Sequence, residues 1–324
     1  VKVERLPIDD IVGHILLHNQ AGPDGRKVLK KGHRVTSEDL PTLQSLGQDQ
    51  VYVAILGEDD IDENEAARRL GELIAGGQID TSSATTGRVN LISTAAGILK
   101  VNRPALLELN DRPGIALATL ANHSGVQPKK IVGSVKIIPY GVPRIELEAA
   151  EAIAQAAGPL LQVKPFVLGR AVLITTGSAA AQEKVVNGFT PALRDRLTSY
   201  GTQMIEGPYV TDDEVQISEA VQWALDSDAE LILIAGETSI MDSEDIIPRA
   251  IKAVGGEIVH YGVPVEPGNL LLLAYCNEIP IVGAPGCARS KNYNVVDMVL
   301  PRLAAGEQLT RRDLIELGHG GLLK

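Results

Sequence analysis

The sequence is poor in sulfur and in rings: two cysteines, three methionines and one tryptophan stand in 324 residues, and aromatics make up 3%. Cys276 and Cys287 do not make a disulfide framework, which excludes a small cross-linked scaffold. Basic charge is also lacking. The formal net charge is −11 and the pI near 5.1, whereas a general DNA or RNA binder carries a positive face. No apolar run approaches the roughly 18–20 residues of a membrane span; the strongest, Leu270 to Cys276, falls far short. There is no heptad run and no long low-complexity tract, and the six scattered histidines point to no metal site. The opening VKVERLPIDD has no apolar leader core. Together these absences predict a cytoplasmic protein with neither a nucleic-acid nor a membrane partner. The chain opens on Val1 rather than methionine, so its natural start is expected upstream.

What is present is small and aliphatic. The hydrophobic fraction of 44% comes mainly from Ala, Val, Ile and Leu, which suits sheets covered on both faces by helices. The length allows two or three domains of about 100–200 residues each. Residues 1–75 read as a small α/β unit: ILLHN and QVYVAIL as strands, KVLKKGHRV as a hairpin arm, SEDLPTLQSLG as a helix capped by Thr36 or Ser37, and DIDENEAARRLGELI as a helix begun by acids. Residues 76–160 read as a β-rich subdomain (NLISTAAGILKVN, GIALATLA, KIVGSVKIIPYGV) closed by an Ala-rich linking helix that stops at Gly158-Pro159. Residues 161–324 alternate strand and helix, with Pro191 expected in the first turn of TPALRDRLTSYG and Gly320-Gly321 in a flexible tail. That alternation predicts an α/β fold with a C-terminal three-layer, doubly wound, mostly parallel sheet.

In such sheets ligands sit where strands end at their carboxyl edge. Three expected strands run into Gly-, Ser- or Thr-rich loops: ITTGS (Ile174–Ser178), AGETSIMDSED (Ala235–Asp245) and GAPGCARSKN (Gly283–Asn292). A fourth turn is VPVEPGN (Val263–Asn269). Small residues let backbone N–H groups approach a ligand, and hydroxyls add hydrogen bonds; the same glycines also serve simply to make turns.

On these loops the sequence resembles the molybdopterin-binding family of molybdenum cofactor biosynthesis. Its members border the pterin site with a TTG-type loop, a GG[VT]S…D loop and a PG-containing loop. Here these are Thr175-Thr176-Gly177 with Ser178, then Gly236-Glu237-Thr238-Ser239 with Asp242, and Pro285-Gly286. Pro267, Gly268 and Asn269 fall in the turn that resembles the family's V-x-[KD]-PG segment. TTGRVNL, LATLAN, VKIIPYGVP, VEPGNLLLL, GAPGCARS and GHGGLLK further resemble a subfamily joined to a molybdenum cofactor cytidylyltransferase. The resemblance implies a phosphorylated pterin, molybdopterin or the molybdenum cofactor, as ligand. It also implies a cytidylyltransferase or other cofactor-maturation enzyme as partner, and a homodimer as a plausible assembly. Two departures bear on chemistry. The molybdate-inserting branch has lysines in a KPGK-like turn and reads PGNPVS. This chain has Glu266-Pro267-Gly268-Asn269 and Pro285-Gly286-Cys287-Ala288-Arg289-Ser290. Two cations that would meet molybdate or phosphate oxygens are thus gone, and an LAAGxSxRMG-type nucleotide loop is absent.

The resemblance makes Asp242 the first choice for an orienting or catalytic carboxylate and, with Glu244, for a Mg²⁺ site, with Asp245 beside them; all three equally suit the start of a helix. Cys287 follows Pro-Gly near an expected helix start, where a thiolate is favoured, or is a small buried thiol. Arg289 and Lys291, next to Ser290, are placed to neutralise a phosphate, or are solvated loop charges. Arg88 and Asn90 complete the site or belong to a structural turn. The expected function is molybdopterin binding in cofactor biosynthesis. The alternatives are a molybdenum-inserting transferase of the same fold, a non-catalytic scaffold, and a nucleotide-processing relative.

Overall fold

Runs of apolar residues with no polar face, such as Leu231–Gly236, can be buried only at the centre of a sheet covered on both sides. The computed structural model describes residues 1–238 and 240–323. It forms two units: Val1–Ala95 with Leu99–Lys164, and the chain from Pro165 together with Ala96–Ile98. Among the described residues no helix is long and apolar enough to cross a membrane.

The second unit carries β1 (Arg170–Thr176), α1 (Gln182–Ser199), β2 (Gln203–Val210), α2 (Glu214–Asp226), β3 (Leu231–Gly236), α3 (Ile246–Ala253), β4 (Glu257–Tyr261), β5 (Leu272–Cys276), β6 (Ile279–Gly283), α4 (Val295–Ala304) and α5 (Arg311–Glu316). The strand order is β2-β1-β3-β6-β5-β4. The pairs β1–β2, β1–β3 and β3–β6 are parallel, while β5 runs antiparallel to both β6 and β4. The sheet is therefore mostly parallel, with one reversed strand.

Alternate strand residues feed two cores. Leu173, Leu233, Leu273 and Val282 pack against Phe189, Leu193, Val299 and Leu314 from α1, α4 and α5. Val172, Ile232, Ile234 and Ala274 pack against Ile217, Val221, Ile247 and Ile251 from α2 and α3. This makes three layers, and each fully buried Leu, Ile or Val contributes about 1.5–3 kcal/mol. Side-chain caps fix where the helices begin: Asp213 for α2, Asp245 for α3, Asn294 for α4 and Thr310 for α5.

Two expectations are corrected here. Pro191 lies inside α1, which starts at Gln182 rather than at Thr190. A 3-10 turn at Ala179–Ala181 feeds the helix, and Val185, Phe189, Leu193 and Leu197 give it a buried stripe along one side. Pro191 sits on the exposed face, where the carbonyl that loses its donor can meet water. The tail is docked rather than free. Glu266 N–H donates to the Gly321 carbonyl at 2.7 Å and Leu323 N–H to the Glu266 carbonyl at 2.8 Å. A Cβ on Gly321 would come within 2.5 Å of the Pro264 oxygen, so the glycine there permits close backbone approach.

The first unit is β-rich. Lys2–Pro7, Gln50–Ile55 and Ile15–Leu16 form a three-stranded antiparallel sheet over Ile11, Leu16, Leu43 and Val53. Ile115–Thr119, Ile131–Ile137, Arg88–Ser93 and Ile79–Thr81 form a second antiparallel sheet. Its core is shared with helices Glu63–Ile74, Arg103–Asn110 and Arg144–Ala157 through Leu70, Leu109 and Leu147. The Ala-rich segment is helical as expected and ends at Gly158, whose φ of 67° suits glycine.

Candidate functional site

Register brings the strand ends together. Thr176 pairs with Gly236 on one side and Val210 on the other, and Ile234 pairs with Gly283. The loops after β1, β3 and β6 therefore leave one edge of the sheet side by side. Thr175 and Thr176 are buried, and Thr176 Oγ1 donates to Asp212 Oδ1 at 2.5 Å, tying in the loop after β2. Ser178 is exposed, and its N–H and Oγ–H both donate to Glu237 Oε2, at 3.0 and 2.9 Å. Glu237 N–H donates to the Thr176 carbonyl at 2.9 Å. Gly177 (φ 153°) fits only as glycine, because a Cβ would fall 2.7 Å from Tyr209 Oη and 2.8 Å from Glu237 Cβ. At Gly236 a Cβ would lie 2.9 Å from the Thr238 oxygen. Thr238 itself lines a cavity of about 50 Å³ with Asp212 and Asp245. Ser239 lies outside the described residues.

Arg289 reaches this rim from the loop after β6. Its guanidinium lies 4.6 Å from the Phe189 ring centre, an arrangement that favours a cation over a π face. Nη2 donates to the carbonyls of Gly236 and Glu237 at 3.1 and 3.3 Å, while Nε is buried without a partner. Lys291 turns away and pairs with Asp195 at 2.7 Å, both well exposed. Such an exposed pair is weak, and it holds the Lys291 ammonium against α1 rather than against the Gly236–Glu237 carbonyls that Arg289 meets.

Cys287 takes the second of its two readings, a half-buried thiol. Gly286–Arg289 form a 3-10 turn, not the start of an α-helix, and burial pushes the thiol up rather than favouring thiolate. Pro285 is buried and its carbonyl accepts from Ala288 N–H. Ser290 Oγ accepts from Asn292 N–H at 3.0 Å. In the fourth turn, a Cβ on Gly268 would fall 2.2 Å from Val295 Cγ1, and the Pro267 carbonyl accepts from Val295 N–H at 3.3 Å. The Asn269 carbonyl accepts from Val263 N–H at 2.8 Å, so this turn is fastened to α4 and to itself.

The acidic loop is used locally. Asp242 Oδ1 accepts from Glu244 N–H at 2.8 Å, and Asp245 accepts from Ile246 and Met241 N–H at 2.7 and 3.1 Å. Glu244 pairs with Lys252 at 2.9 Å. Among the described residues no group of three or more His, Cys, Asp or Glu is placed to hold a metal ion. Arg88 and Asn90 belong to a strand of the first unit.

Two residues that sequence reasoning missed hold the β6 loop. Arg196, 8% exposed, donates to Asp297 through Nε and Nη2, and to the carbonyls of Ala192, Ala288, Ser290 and Asn292. Asn294 is buried, caps α4, and donates to the carbonyls of Cys287 and Asn292.

Residues 172–305 match the model of a probable molybdopterin binding domain, a span that contains all four loops. Residues 5–55 match a domain of unknown function. No curated protein matches the chain. Among solved structures it is similar to a molybdenum cofactor biosynthesis protein from Pyrococcus furiosus, at 13% identity and TM-score 0.27, covering 97% of this chain and 65% of that one. It is similar to the molybdopterin biosynthesis MoeA protein from Pyrococcus horikoshii, at 14% identity and TM-score 0.35, covering 97% and 75%. It is also similar to the molybdopterin biosynthesis enzyme MoaB from Thermus thermophilus, at 17% identity and TM-score 0.32, covering 43% of this chain and 98% of that one. The chain thus spans less than two thirds of the first of these, and at these identities and TM-scores none lends this chain a residue role.

Proposed function

We propose that the second unit binds molybdopterin, a phosphorylated pterin, as a step in molybdenum cofactor biosynthesis, and that the rim formed by residues 175–178, 236–238 and 285–289 receives it. The observation that carries this reading is that the span matching the probable molybdopterin binding domain holds three strand-end loops that touch one another. Ser178 bonds to Glu237, and Arg289 bonds to the carbonyls of Gly236 and Glu237. The donor set fits the ligand class. A phosphate needs N–H and O–H donors, present at Ser178, where Glu237 now occupies them, and at Arg289, and the donor edge of a pterin needs an acceptor such as Asp212. Close backbone packing at Gly177 and Gly236 keeps these groups at the surface of the rim rather than behind side chains. Arg289 supplies a planar cation already fixed over Phe189, so little rotamer freedom remains to be lost on binding.

The test is titration of the purified chain with molybdopterin, followed by calorimetry. Saturable one-to-one binding is expected, and Arg289→Ala should weaken it about tenfold or more, the loss of a charge-assisted hydrogen bond. Absence of binding by the unmodified chain would remove the proposal.

A further inference from the structure

Resting on that reading, we propose that Glu237 is the specificity-determining residue of the rim: its carboxylate fills the donor pair of Ser178, so an incoming phosphate gains that seat only by displacing the protein's own anion. A backbone N–H and a serine hydroxyl aimed at one point are the groups that take a phosphate oxygen. Here both converge on a single oxygen, Glu237 Oε2, at 3.0 and 2.9 Å.

The surroundings hold the carboxylate in place. Tyr209 Oη–H donates to the Ser178 carbonyl at 2.7 Å, and Glu237 N–H donates to the Thr176 carbonyl at 2.9 Å, which locks the two loops in mutual register. A Cβ on Gly177 would fall 2.8 Å from Glu237 Cβ and 3.2 Å from its Oε2, so glycine there leaves the room that this side chain takes beside Ser178. The bonds from Ser178 foremost, with the charges of Lys184 and Arg289, hold the Glu237 carboxyl below the usual carboxylate range. The two donors on one oxygen make this a seat suited to an anion. Glu237 is itself exposed, so displacement sends its charge into water and leaves no buried group unpaired.

The exchange is one anion for another on the same donors. It selects against a ligand whose only attraction is its charge, and favours one that brings further contacts to the rim. Free inorganic phosphate should therefore be excluded from Ser178, although the donors suit it.

The full chain, labelled with ¹⁵N, can be titrated with inorganic phosphate at constant ionic strength while the Ser178 and Gly177 amides are followed. In the unmodified protein these amides should respond weakly. In Glu237→Ala the apparent affinity at Ser178 should rise at least about tenfold, the value of one hydrogen bond to a charged acceptor. Glu237→Gln, which keeps an acceptor oxygen without the charge, should fall between the two. Equal responses in the unmodified protein and Glu237→Ala, including no response in either, would overturn the proposal. A molybdopterin arm separates this outcome from failure of the functional reading. If phosphate affinity rises in Glu237→Ala while neither protein takes molybdopterin, the seat stands and the pterin reading falls. If molybdopterin binds but residue 237 leaves the Ser178 response to phosphate unchanged, the pterin reading stands and the seat falls.

Discussion

The loops after β6 and β3 leave the same sheet edge, yet they are fastened in different ways. The β6 loop is braced from outside by a buried cation and a buried amide: Arg196 of α1 and Asn294 at the start of α4 saturate the carbonyls of Cys287, Ala288, Ser290 and Asn292. The β3 loop largely braces itself. Asp242 and Asp245 turn back onto their own amides, and help from elsewhere comes through the Tyr261 hydroxyl on the Ile240 carbonyl, Ser178 and Arg289. Bonds to a buried guanidinium act in a low dielectric and are little screened, whereas exposed carboxylate bonds compete with water. One wall of the candidate site is thus preorganised by the fold, and the other is free to answer a ligand.

The largest break in this contrast should come from Arg196→Met. It leaves Asp297 with the Asn294 N–H but without its cation and takes a donor from several carbonyls, and removal of one partner from a buried pair costs about 3–5 kcal/mol. Trp223, the chain's one tryptophan, lies in α2 of the same unit, so its fluorescence in urea reads that loss directly. An unchanged midpoint would mean that packing alone holds the β6 wall. Asn294→Ala should cost less, about 2 kcal/mol, because it removes a helix cap and two bonds to carbonyls but no charge. Amide exchange at Ser290 and Asn292 should quicken with it. If exchange there stays slow, Asn294 is only a cap.

Much of this architecture is legible in the sequence, while its fastenings are not. All-apolar runs ending in Gly, Ser or Thr locate β1, β3 and β6 and the loops they carry, because burial on both faces and tight turns each leave a local signature. Arg196 leaves none. It sits between Leu193 and Leu197 on α1, and its carboxylate partner Asp297 is 101 positions away. Asp212 reads as one more helix-start acid, though Asp213 makes the cap and Asp212 takes the Thr176 hydroxyl. The pairing of Lys291 with Asp195 of α1 has no local sign either. The two readings of Cys287 separate for a related reason: a thiolate needs an α-helix start, and the chain makes a short 3-10 turn there, which leaves the half-buried thiol. Local patterns encode elements and turns, whereas long-range pairings appear only once the layers are stacked.

The smallest effect should come from Asp245→Ala, and it sharpens the contrast most. Asp245 accepts from Ile246 N–H at 2.7 Å and from Met241 N–H at 3.1 Å, so its loss uncaps α3 and frees the last turn of the β3 loop. The cost of a lost cap is about 1 kcal/mol. Both amides lie at a partly exposed surface, so water replaces much of what is removed, and the Trp223 midpoint should move little. Exchange at Met241 and Ile246 should nevertheless rise, while Ser290 and Asn292, held by groups that do not touch Asp245, keep their rates. Faster exchange across both loops would mean that the two walls open together. The β6 wall would then owe its order to its neighbour as much as to Arg196, and the freedom assigned to the β3 loop would belong to the whole rim.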